Sequence, residues 1–187
     1  MHASRNSLSK VTLAICTLAI VLSCSSRTPA KTVPQNQNSN KAAVMALMQE
    51  GSEYYLRHDF ERAVGPYQKA LDLEKEKRTL DKNLWYVLVD NLGMAYGISG
   101  DLDKAKETFA YGIEKEPDYP MFYYNMACTY GEKDDMDKAI EYLKLAFARS
   151  ENMIPGEKIP NPATDSSFQR FVDEQKFIAA VKELKKK

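Results

Sequence analysis

Few of the 187 residues could do nucleophilic or acid–base chemistry at neutral pH: the three cysteines are Cys16, Cys24 and Cys128, and the two histidines are His2 and His58. A cysteine nucleophile needs its base in hydrogen-bond contact. His58 falls in a polar turn of the first of three repeated units and Cys128 in the first helix of the third, so the two are not expected to meet. Asp134, Asp135 and Asp137 match neither a full calcium loop nor a His-rich site and read as a solvated turn. There is no Gly-rich phosphate loop. The residues therefore predict a protein that is not an enzyme and has no catalytic residues, no bound metal and no cofactor.

Composition points the same way. Balanced charge, 26 basic against 26 acidic side chains, argues against a nucleic-acid surface built on bulk positive charge. With 28% charged and 10% aromatic residues the chain is not broadly disordered, and its length suits one domain with tails.

The elements that would position these residues begin at the N-terminus. Arg5 and Lys10 precede an uncharged, mostly apolar run from Val11 to Leu22, followed by Ser23 and Cys24. That is the pattern of a signal peptide over residues 1–23, and the run is well short of the roughly 20 residues that span a bilayer. Val21-Leu22-Ser23-Cys24 resembles the lipobox of bacterial lipoproteins, although Leu22 is bulkier than the residue usual there. The resemblance implies an acylated Cys24 as the mature N-terminus, holding the protein to a membrane through lipid, and Ser25 in place of Asp implies the bacterial outer membrane, facing the periplasm. Cys128 is then the one remaining cysteine, and no intramolecular disulfide is expected. From Cys24 to Asn40 the chain is rich in Ser, Thr, Pro, Gln and Asn with almost no large apolar side chain, and it reads as a flexible tether.

Beyond it, Asn91-Leu92-Gly93-Met94-Ala95-Tyr96 returns 34 residues later as Asn125-Met126-Ala127-Cys128-Thr129-Tyr130, and Asp103-Lys104-Ala105 as Asp137-Lys138-Ala139. An earlier copy carries Gly51, Tyr54, Ala63, Tyr67 and Ala70 in the same relative places. Small residues at fixed places let two antiparallel helices approach, and aromatic rings fill the space beside them. The pattern resembles the tetratricopeptide repeat. It implies an all-α helix-turn-helix solenoid of about three repeats, near 44–77, 86–119 and 120–153 within residues 41–151. Extra residues between the first two units fall around Glu74 to Leu84, and Pro66 should bend the second helix of the first unit. A Pro-rich loop follows over 152–164, then C-terminal capping helices over 165–187, where Phe168, Phe171, Phe177 and Val181 return to helical spacing and Lys182, Glu183 and Lys185 to Lys187 give a polar outer face.

In such arrays the first helices line a concave groove that takes a protein partner, either a peptide segment or a helix. The groove positions here are Met45, Met48, Gln49, Ser52 and Tyr55; Val87, Asp90, Asn91 and Met94; and Met121, Tyr124, Asn125, Cys128 and Glu132. They are apolar and Met-rich, with no Lys or Arg to clamp a terminal carboxylate, which suits an adaptable apolar contact. Asn91 and Asn125 are expected either to hold a bound peptide's backbone or to bond the neighbouring repeat. The groove itself is expected either to be open or to be covered by the C-terminal segment or the tether. The function that fits is a non-catalytic adaptor, lipid-anchored in the envelope, that helps assemble or position an envelope complex. A periplasmic chaperone or a regulator of a cell-wall or envelope enzyme, and more weakly a binder of a small hydrophobic ligand, stand as alternatives.

Overall fold

The computed structural model describes residues 35–184. The signal-peptide reading of 1–23, Cys24 with the first part of the tether, and Lys185 to Lys187 lie outside the described residues. Every regular element within them is helical: α1 (Gln35–Leu56), α2 (Phe60–Glu76), α3 (Lys82–Ile98), α4 (Leu102–Lys115), α5 (Pro120–Glu132) and α6 (Met136–Phe147), then two 3-10 turns (Ser150–Asn152 and Ser166–Phe171) and α7 (Gln175–Leu184). None of these helices is long and apolar enough to cross a membrane. The three antiparallel pairs α1–α2, α3–α4 and α5–α6 are the three repeats, and α7 packs on α6.

The same local chemistry makes each turn. His58, Gly100 and Asp134 occupy the left-handed region, with φ of 59°, 95° and 63°. The amides of the next residues, Asp59, Asp101 and Asp135, reach back to the carbonyls of Tyr54, Tyr96 and Tyr130 at 2.9–3.0 Å. This closes the preceding helix in a Schellman motif. The same three aspartates then cap the next helix, their carboxylates accepting from the amides of Arg62, Lys104 and Lys138. His58 and Asp134 are thus turn residues with a backbone task.

Packing explains the repeated small residues. A Cβ on Gly51 would lie 2.8 Å from the Tyr67 ring, one on Gly93 inside contact distance of the Phe109 ring, and one on Gly112 2.9 Å from the Phe122 ring. Tyr67, Phe109 and Phe122 are themselves buried, so each glycine is the hollow into which a ring of the next helix fits. Trp85, Tyr86, Tyr119 and Phe122 carry the core from the second repeat into the third, with Tyr86 and Tyr119 stacked at 4.1 Å. A second cluster joins α5 and α6 to Phe168, Phe171, Phe177, Val181 and Leu184, closing the end of the array. Lys182 and Glu183 lie exposed on the outer side of α7.

One feature departs from the sequence reading. The tether expected over 24–40 is helical from Gln35 onward. Residues 35–40 contain no Pro or Gly, so a helix nucleated by packing of Val44 and Met48 extends outward through them. The extra residues between the first repeats are held by Glu74, which is buried and accepts from the amides of Thr79 and Leu80 and from the Thr79 hydroxyl, the last at 2.6 Å. Pro66 lies buried within an unbroken α2.

Candidate protein-binding groove

The first helix of each repeat, α1, α3 and α5, supplies the concave face. On α1, Met45 and Gln49 are exposed, Ser52 and Tyr55 half-buried, and Met48 buried. The Tyr55 hydroxyl donates to the Met94 sulfur across the gap to α3, at 3.7 Å. On α3, Val87, Asn91 and Met94 are half-buried and Asp90 is buried. On α5, Met121 and Cys128 are half-buried, Glu132 is exposed, and Tyr124 and Asn125 are buried. The face therefore presents Met45, Gln49, Tyr55, Val87, Met94, Met121 and Glu132; Met48 and Asp90 are buried beneath it, and Tyr124 and Asn125, largely buried, still line the cavity between α3 and α5.

The polar groups explain that burial. Asn91 Nδ2 donates to Tyr67 Oη at 3.3 Å, Tyr67 Oη lies 2.9 Å from Ser52 Oγ, and the Ser52 hydroxyl donates to the Met48 carbonyl at 2.8 Å. With the Ser52 proton committed to Met48, the Tyr67 hydroxyl must donate to Ser52, giving one directed chain from α3 through α2 to α1. Asn125 Nδ2 donates to Asp90 Oδ1 at 2.6 Å, tying α5 to α3. Both asparagines thus bond the neighbouring repeat, the second of the two roles open to them in the sequence. Burial pushes the Asp90 carboxyl up to about 7; the Asn125 bond opposes that rise and the charge of Glu157 adds to it.

Between α3 and α5 the face opens into a cavity of about 700 Å³. Gly93 and Gly97 of α3 and Phe109 of α4 form its floor, Met94, Ile98, Leu102 and Met121 give it apolar sides, and Cys128 and Glu132 line the α5 side. Its last wall is the chain itself, Pro160 and Asp165 to Ser167, so the C-terminal segment does cover part of the groove. The Tyr119 hydroxyl donates to Glu157 at 2.8 Å and the Tyr124 hydroxyl to Asp165 at 2.7 Å. Burial, and the neighbouring Asp165 charge, push the Cys128 thiol well up, so it stays protonated and a poor nucleophile at neutral pH. His58, on the α1–α2 turn, is not among the residues lining the cavity. Among the described residues no group of three or more His, Cys, Asp or Glu side chains is arranged to hold a metal. Tyr67, Gly97, Tyr119, Glu157 and Asp165 belong to the site without having been singled out for it. Tyr67 repeats in register, a signal of packing that does not show where its hydroxyl points, whereas Glu157 lies in a loop without periodicity.

These features define a helical-repeat protein with a largely apolar cavity between the first helices of its second and third repeats. Residues 89–118 and 122–153 match the family profile described as tetratricopeptide repeat. The fold is a tetratricopeptide-repeat solenoid of three repeats with a C-terminal cap. The chain is similar to the Photosystem I assembly protein Ycf3 of Rippkaea orientalis, with 29% identity over 136 residues, covering 65% of this chain and 75% of that protein. The Synechococcus Ycf3 matches at 24% over 136 residues, covering 67% and 75%. Among solved structures it resembles PcrH from Pseudomonas aeruginosa, with a TM-score of 0.52, 16% identity and coverage of 78% of this chain and 93% of that one. It also resembles the C-terminal TPR-containing domain of a Plasmodium falciparum FK506-binding protein, with a TM-score of 0.53, 16% identity and coverage of 81% and 96%.

Proposed function

We propose that this protein is a non-catalytic adaptor that holds a segment of a protein partner on its concave face and helps assemble or position an envelope complex. The observation that carries this is the cavity between α3 and α5, apolar on its floor and sides, continuous with Met94 and Tyr55, and facing no activated nucleophile. The assembly role stated in the name of the Ycf3 proteins supports the same reading. Acylation of Cys24 fixes the adaptor to the bacterial outer membrane on its periplasmic side, a proposal that rests on the lipobox-like sequence alone.

The test is purification from detergent-solubilised membranes with wild type, Met94→Glu and Cys24→Ala. A stoichiometric envelope protein that copurifies with wild type and is lost with Met94→Glu supports the adaptor. Equal recovery with Met94→Glu contradicts it. Incorporation of labelled palmitate into wild type and not into Cys24→Ala supports the anchor, and an unlabelled wild-type protein in the soluble periplasm rules it out. A second reading, a binder of a small hydrophobic molecule, is favoured by the cavity volume, which falls in the range of about 300–1,000 Å³ usual for small-ligand sites. Native mass spectrometry of the purified protein separates the two, because a retained small molecule adds a fixed mass that Met94→Glu removes.

A further inference from the structure

Residues 153–165, between the third repeat and the Phe168 anchor, form no helix, yet they are pinned along α5, with Pro160 and Asp165 walling the cavity. Ile154 packs on the core cluster that runs from Val44 to Met126, and Ile159 on the C-terminal core. Pro162 is buried, while Pro155, Gly156, Lys158, Pro160 and Asn161 between these anchors are exposed. The carboxylates of Glu157 and Asp165 accept from the Tyr119 and Tyr124 hydroxyls. The approach is close, since a Cβ on Gly131 of α5 would lie 2.5 Å from the Ser167 carbonyl oxygen. Spaced apolar anchors and a few directed hydrogen bonds, with bare backbone between them, are how an extended peptide engages a groove.

We propose that residues 153–165 are an intramolecular ligand of the concave face, and that the partner is an extended segment of the same chemistry, branched apolar residues interleaved with carboxylates, which displaces them from the third repeat. This rests on the reading of the groove as the partner site. The structure supplies the partner's chemistry because Tyr119 and Tyr124, both nearly fully buried, turn their hydroxyls to carboxylates. A segment lacking an acceptor there would leave those hydroxyls unpaired as it displaced Glu157 and Asp165. Both ends of the strap stay fixed, by α6 and by Phe168, so only its middle has to lift. Tethered in this way, it competes at an effective concentration no free peptide reaches, and it lowers apparent partner affinity by the fraction of time it is closed.

The test uses the full chain and a fluorescent synthetic peptide with the sequence of residues 152–166, followed by anisotropy. Ile154→Asp with Glu157→Ala releases the strap and leaves its receptor residues unchanged. The double variant should bind the peptide at least about tenfold more tightly than wild type, and Glu157→Ala alone, at an exposed residue, about fivefold. Adding Tyr119→Phe and Tyr124→Phe to the released variant should abolish the gain. Hydrogen exchange of residues 153–165 reports whether the strap has opened. Equal affinity for wild type and an opened variant, or no binding to either, overturns the proposal. Loss of the envelope partner in Met94→Glu alongside a negative peptide result removes the strap ligand and leaves the groove reading standing. Retention of the partner in Met94→Glu removes the groove reading whatever the peptide does.

Discussion

Asp90 carries the sharpest prediction about the groove. Its carboxyl is raised from an ordinary 3.8 to about 7, chiefly by burial, against the opposing bond from Asn125 and with the Glu157 charge adding to the rise. At ~1.36 kcal/mol per pH decade, keeping this group charged in the fold costs about 4 kcal/mol above pH 7. The sign follows from proton binding. Between the unfolded and folded values the folded chain holds a proton on Asp90 that the unfolded chain has released, so stability falls as pH rises through this window and levels off above about 7. Asp90→Asn keeps an acceptor for Asn125 and removes the titration. Relative to wild type, the variant should gain about 2–3 kcal/mol between pH 5 and pH 8, a widening of roughly 5–10 °C in Tm for a domain of this size. Urea unfolding of both proteins across that range measures it. Parallel curves for the two would refute the buried, proton-binding Asp90.

Gly93→Ala, which drives a Cβ into the buried Phe109 ring, should cost about 1–3 kcal/mol in chemical unfolding. Glu74→Ala leaves the Thr79 and Leu80 amides without their carboxylate and should cost about 1–3 kcal/mol, with hydrogen exchange accelerated at those two residues first. Reductant should leave the melting curve unchanged, and Cys128 should react with a thiol reagent far more slowly in the folded protein than in urea at the same pH.

The sequence made legible what recurs. Helix pairs and the turns ahead of α2, α4 and α6 are built three times, and the hollow under an aromatic ring twice within a repeat, at Gly51 and Gly93, so Gly93, Ala105 and Asp101 have counterparts that expose their roles. Features made once leave no such trace. Glu74 holds a linker with no equivalent in the other repeats, and the segment 153–165 is placed by two isoleucines and two carboxylates without periodicity. Asp90 and Asn125 were named as groove residues, yet their mutual bond buries both, because one helix's pattern does not show which polar side chains meet across two helices. The start of α1 was hidden for a different reason. Polar Gln and Asn runs carry weak local preference, and packing further along the helix decides their state.

The central claim, that the concave face holds the partner, is tested most directly by site-specific photocrosslinking in cells. A photoreactive phenylalanine derivative at Gln49 lies exposed on the concave side of α1, and one at Glu107 lies exposed on α4, a second helix of the array. The account predicts a discrete adduct from Gln49, of the same mass as the protein that copurifies with wild type, and none from Glu107. Adducts from Glu107 alone would place the partner on the outer face and contradict the account.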